Sequence, residues 1–437
     1  MDAAGCSCGN EVTMAGATAQ TVDGVLNLLR QQVRRPEAAR HVTDYLRGLL
    51  AEIDRKNGWQ LAEHAGYAHP RGMQRVLDRY AWDAEAVRDD LRAYVVAELG
   101  EPAGILVVDE TGFPKQGTHS VGVARQYCGT LGKIGNCQIG VFLGYAGPQG
   151  HAAIDRALYV PRTWLDDPDR CRQAGMPLGL AFQTKPQLAR AMLEHALDAG
   201  VSAAWVVADE VYGSDGALRR ALEARDQAYV LAVRGNQAVS TWPPYGPPVQ
   251  TTTSALATAI AAEAWSRLSC GEGSQGPRVY DWAYRPLRPA QRDGWVHGLL
   301  MRRHPLRPAE LAWYLVYAPT TTLLADMVRA AGTRWTIEEV FKLAKGQVGL
   351  DHYEVRSWQG WHRHITLALL ALAALAAAAK KGEPGVCTTS PSPFPNCGGS
   401  SSASSGRSSG CPPRCWPGRA GGAGTSEAPR PPIAVAA

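Results

Sequence analysis

The spacing of apolar residues changes character along the chain, and each change predicts a different kind of element. Residues 21–100 carry the helical period. Asp83 as N-cap is followed by Val87, Leu91, Tyr94 and Val95 at i, i+4, i+7 and i+8, and Gly100 and Pro102 stop the run, which predicts one amphipathic helix. Just upstream, Gln60 to Glu63 and Gly72 to Arg79 predict two short helices separated by Gly66 and begun again at Pro70. This is compatible with a helix-turn-helix whose second helix presents Arg71, Arg75 and Arg79 to a phosphate backbone. Two packed helices around a glycine turn are also common in any helical domain.

From Gly104 the pattern shifts to continuous β-branched runs. Ile105 to Val108, Ser120 to Tyr127 and Gln138 to Tyr145 predict strands, Pro186 to Gly200 a helix, Ala203 to Ala208 a strand, Asp215 to Arg225 a helix and Ala228 to Val233 a strand. Three strands followed by alternating helix and strand define an α/β layer, in the order of a ribonuclease H-like core. Between 236 and 325, Arg278 to Tyr284, Trp295 to Met301 and Leu311 to Tyr317 predict strands among Pro and Gly turns, hence a mostly β insertion. Helices resume near Leu324 and run through Glu338 to an apolar helix ending near Lys380. The expected organisation is a helical, DNA-binding N-terminal domain (1–100), the first part of the core (101–235), the β-rich insertion (236–325) and the core's C-terminal helices (326–381).

Composition narrows this picture without overturning it. At 437 residues, 45% hydrophobic and 19% charged, the chain reads as globular. Its net charge of +5 permits an anionic partner and asks that any nucleic-acid surface be local. Ten Cys without a Cys-x2-Cys pair support neither a zinc ribbon nor a disulfide framework, so a reducing, cytoplasmic setting is expected. Met1 to Asn10 carries no secretory pattern, and the apolar stretch Ile365 to Ala379 reads as a buried helix, too short to span a bilayer. Beyond Lys381 there is no Leu, Tyr, Asp or Lys, yet four Cys. Residues 382–437 are therefore expected to be disordered, either as a frame-shifted end read from GC-rich codons or as an ordinary low-complexity tail.

Two strands end alike, in Val107-Val108-Asp109-Glu110 and Val206-Val207-Ala208-Asp209-Glu210. Ligands of open α/β sheets bind at the carboxyl ends of strands, so two carboxylates there point to a shared site. Strand alternation lets one acid of each pair face it, and Asp109 and Asp209 are the ones chosen. Each could equally cap its own turn. A third acid lies in the stretch Arg334 to Lys345, where positions 334, 338, 342 and 345 form one helical stripe that puts Glu338 among cations. By itself this stripe is a surface ion ladder. His362-Arg363-His364 reads as polar contacts at a helix start, and Trp335, Trp358 and Trp361 as core residues that could alternatively stack on an unpaired base.

With these residues in view, the chain resembles insertion-sequence DDE transposases, in the group with a Tyr-x2-Arg-x3-Glu-x6-Lys signature. Arg334, Glu338 and Lys345 match its last three members, while the Tyr position falls at Ala331. Val107 to Phe113, Ala208 to Gly213 and Val348 to Glu354 also carry this family's wording. The resemblance runs from about Gly24 to Ala379. It implies a ribonuclease H-like fold and an enzyme that cuts DNA at its element's ends and transfers the strands to a target by cut and paste. The catalytic and metal-binding residues implied are Asp109, Asp209 and Glu338, holding two Mg²⁺ ions, with Mn²⁺ as a substitute. Arg334 and Lys345 would contact DNA phosphates, as would Arg71 and Arg75. The implied partners are double-stranded DNA, as terminal inverted repeats and target, and a second copy in a homodimer, with no membrane. The alternative is a transposase-derived DNA-binding protein without catalysis.

Overall fold

The structure is a computed structural model that describes residues 21–242, 245–273 and 276–381; the 382–437 tail expected above lies outside them. Helices occupy 21–31, Pro36–Leu50, Gly58–His64, Arg71–Asp78 and Ala84–Leu99. Short polar side chains cap two of them, Asp83 as the sequence predicts. Asn57 accepts from the backbone N–H groups of Trp59 and Gln60, and Asp83 accepts from that of Glu85. Gly66, at φ +75°, makes the turn between the two short helices.

Twelve strands follow: β1 (Ile105–Pro114), β2 (Ala124–Cys128), β3 (Lys133–Gly147), β4 (Gly150–Tyr159), β5 (Trp205–Ala208), β6 (Tyr229–Val233), β7 (Ala238–Thr241), β8 (Val249–Thr252), β9 (Ser266–Gly273), β10 (Gly276–Pro289), β11 (Trp295–His304) and β12 (Arg307–Pro319). Ten of them form one mixed sheet in the order β2-β3-β1-β5-β6-β12-β11-β10-β9, with β4 paired to β3. β1, β5 and β6 are parallel, and the other pairings are antiparallel. β7 and β8 form a separate two-stranded ribbon.

Two expectations change here. Strands β9–β12 extend the central sheet, because β12 pairs with the free edge of β6 from Trp313 opposite Val233 to Tyr317 opposite Tyr229. β4 was not foreseen at all. It buries Asp155 and Arg156, which break the apolar alternation and satisfy each other's surroundings through Arg88, Glu85 and Thr366.

The last helix, Trp358–Lys380, is 23 residues long and apolar enough to cross a membrane by length and composition, but most of it is buried inside the protein. It is longer than the apolar run alone implied, since His362, Arg363 and His364 belong inside it. A helix apolar on all sides needs partners all round. It packs on β4 and on helices Ala84–Leu99, Arg71–Asp78 and Pro36–Leu50. Arg363 donates to the carbonyls of Val76 (3.3 Å) and Trp82 (2.6 Å), and His364 is within 2.8 Å of the Tyr45 hydroxyl.

Candidate active site

Parallel register brings the two acids together. Val108 is the partner of Ala208, so Asp109 and Asp209 follow at the same level, Asp209 just past the end of β5 and Asp109 still inside β1, where it pairs with Phe142 of β3; the strand end expected at Asp109 is not there, because β3 carries the pairing on to Pro114. Asp209 opens the short turn Glu210–Gly213, its Oδ1 accepting from the N–H groups of Val211 (2.9 Å) and Tyr212 (3.4 Å). The turn is seated tightly, because a Cβ on Gly213 would lie 1.9 Å from the Ala232 carbonyl.

Glu338 reaches this edge from helix Thr336–Val348. The helix starts two residues later than the sequence stripe implied, and Arg334 sits at its junction with helix Leu324–Thr333. The junction is close-packed: a Cβ on Gly332 would meet the Cys270 carbonyl at 1.9 Å. From there one Arg334 guanidinium donates to Asp109 Oδ2 (3.3 Å) and Glu338 Oε1 (3.2 Å). Burial and the Asp209 charge push the Asp109 carboxyl up to about 7, with Arg334 pulling the other way. Asp209 is also raised, by burial and then by the charge of Glu110.

The neighbouring acids have other partners. Glu110 accepts from Lys185 Nζ at 2.6 Å and from the Tyr212 hydroxyl, Glu210 accepts from Arg234 at 3.1 Å, and the charge of Glu339 falls on His151 of β4. Lys185 and Tyr212 were not singled out from sequence, because their link to Glu110 spans 75 and 102 residues. Lys345 Nζ bonds Thr111 Oγ1 (2.8 Å), the Gly112 carbonyl (3.2 Å) and Thr130 Oγ1 (3.1 Å), so it anchors at the far end of β1. Arg71 and Arg75 are exposed on helix Arg71–Asp78, outside this cluster.

A cavity of about 500 Å³ opens beside Asp209, with Arg278, Arg302, Tyr314, Arg334 and Trp335 also on its walls. Ala331 lines it too, at the position where the signature has Tyr. The Arg278 guanidinium lies 5.2 Å from the Trp335 ring centre. Trp361 is fully buried, and the Trp358 ring lies tilted against His362 with centroids 4.3 Å apart, so both are packing residues. The three histidine-run side chains make polar contacts, as expected: His362 with the Trp358 carbonyl, His364 with Tyr45 and Gly349.

Among the described residues, no three His, Cys, Asp or Glu side chains are drawn together closely enough to chelate an ion as they stand. The donor set nevertheless suits a hard divalent cation. It consists of carboxylate oxygens, two of them crowded in a buried setting that raises both Asp109 and Asp209.

Comparison with known proteins gives the family. The family described as DDE superfamily endonuclease matches residues 28–276, and the family described as transposase DDE domain matches 181–374. The first span holds Asp109 and Asp209, and the second holds Asp209 and Glu338. The chain belongs to the DDE superfamily of endonucleases. It is 29% identical over 204 residues to a probable transposase for insertion sequence element IS701 from Microchaete diplosiphon, a match covering 45% of this chain. The match spans about half (49%) of that relative's length.

Proposed function

We propose that the chain is a cut-and-paste transposase that cleaves DNA at the ends of its element and joins them to a target. The observation that carries this reading is that Asp109 and Asp209 stand at one level of the parallel strands while Arg334 bridges Asp109 to Glu338. The strand order β4-β3-β1-β5-β6, with β3 antiparallel to β1, supports a ribonuclease H-like core.

Asp109, Asp209 and Glu338 would hold divalent metal, Mg²⁺ or Mn²⁺, as two ions. Bound there, the metal supplies an activated oxygen nucleophile and stabilises the leaving oxygen of an in-line phosphoryl displacement. Arg334 is placed to follow a phosphate, since its planar fork already spans two oxyanions. Lys345, and more remotely Arg71 and Arg75, would contact the DNA backbone, and two copies would act on a pair of ends.

The test is metal-dependent nicking of a duplex carrying the element's terminal repeats. Asp109→Ala, Asp209→Ala and Glu338→Ala should each lower the rate at least a thousandfold and leave duplex affinity within about threefold. Glu339→Ala should retain nicking. Triad variants that still cut would exclude the mechanism, and an inactive Glu339→Ala beside an active Glu338→Ala would move the third acid by one residue.

A further inference from the structure

Beyond the acid cluster, the ribbon formed by β2, the turn Gly129–Leu131 and the start of β3 carries an unusual surface. Tyr127, Leu131 and Ile134 are 64%, 40% and 60% exposed. Tyr127 and Ile134 are register partners and share the outer face with Arg125, while Leu131 bends over Gly135 at the tip.

The ribbon is held firmly from behind. Its inner face buries Cys128, Cys137 and Ile139 in a small cluster of their own, with Tyr159 against it. At the tip, the Thr130 hydroxyl donates to the Gly112 carbonyl at 2.9 Å and lies 3.1 Å from Lys345 Nζ. Gly112 is three residues beyond Asp109 on β1. An apolar tip is thereby fixed to the strand that carries the first acid. Along this stretch of chain no Asp or Glu occurs between Glu110 and Asp155, whereas Lys115, Arg125 and Lys133 do; the acids nearest the support, Asp351 and Glu354, bear on Lys115 behind the ribbon.

We propose that this ribbon is a DNA-engaging wedge. Tyr127, Leu131 and Ile134 press against a base step next to the acid cluster and unstack it, and Arg125 and Lys133 take the flanking phosphates. Apolar side chains between base steps kink duplexes in this way, and a firmly held ribbon that itself carries Arg125 and Lys133 and no carboxylate suits a polyanion. The inference rests on the proposed function, because it assigns a surface to the DNA of that same site.

The test uses the full chain without added metal and a 20-base-pair duplex containing 2-aminopurines, followed by fluorescence and anisotropy. Binding of the parent should raise 2-aminopurine emission. The double variant Tyr127→Ala/Ile134→Ala should bind within about threefold of the parent but give no rise. Arg125→Gln/Lys133→Gln should weaken binding about fivefold or more and reduce the slope of log affinity against log salt by about 2. Parental behaviour in both variants would overturn the wedge while leaving the proposed function standing. If the apolar variant keeps the fluorescence rise and instead loses self-association in sedimentation, the face belongs to a second copy and the wedge is wrong. A parent chain that binds no duplex would overturn the proposed function and the wedge together.

Discussion

Val108 and Ala208 face each other across parallel strands, and their register alone sets Asp109 and Asp209 at one height. Everything else at the candidate site is arranged around that pair. The turn after Asp209 is jammed against β6, Glu110 is tied off by Lys185 and Tyr212, and Arg334 supplies the positive charge between Asp109 and Glu338.

Arg334 spans two carboxylates, which a single ammonium cannot do with the same geometry. Arg334→Lys is therefore expected to lose strand cleavage at least tenfold, close to the loss in Arg334→Ala. Single-turnover nicking rates check this, and full activity in Arg334→Lys would show that only net charge matters.

Gly332→Ala places a methyl group against the Cys270 carbonyl. The helix junction must shift to admit it. The expected cost is about 2 kcal/mol in denaturant unfolding, together with reduced cleavage, because Arg334 hangs from that junction. An unchanged unfolding midpoint would mean that the junction is slack.

Asp155 is 1% exposed and lies 3.2 Å from Arg88, with Arg156 beside it. Its removal strands buried guanidinium groups. Asp155→Ala should therefore destabilise the fold by roughly 3–5 kcal/mol in equilibrium unfolding. A loss below about 1 kcal/mol would show that Glu85 and Asp89 neutralise these arginines without it.

His364 is fully buried between Tyr45 and Gly349, and burial holds its imidazole down to about 4. An unfolded chain takes up this proton near pH 6.5. Below that pH the unfolded state binds the proton and the folded state resists it, so the contribution is complete above 6.5 and is lost as pH falls toward 4. The loss is expected to reach roughly 3 kcal/mol. Urea midpoints measured from pH 7.5 to 4.5 should fall less steeply in His364→Gln than in the parent. Equal slopes would assign the acid sensitivity to other groups.

The site was legible in sequence where local rules govern it. A β-branched run that stops abruptly at Asp-Glu announces a strand end, and this holds for β5 but not for β1, which pairs with β3 through Asp109 and Glu110 to Pro114. The i, i+4 spacing likewise anticipated the contact between Arg334 and Glu338. Non-local partners were not legible. Nothing near Lys345 in sequence foretells Thr111 and Thr130, and nothing near Glu110 foretells Lys185. β4 was hidden because its buried positions include an ion pair, and β9 because Ser266–Gly273 is polar, gaining strand form from β10.

The packing of helix Trp358–Lys380 against the helices before residue 100 has a consequence for synthesis. While a ribosome is still translating the strands, the early helices lack the surface that covers Val76, Leu91 and their neighbours. They gain it only when a segment more than 250 residues downstream has emerged. Glu338 lies in that late-made portion as well. A nascent chain thus carries exposed apolar helices, and lacks the third of the proposed acids, until nearly all described residues have been made.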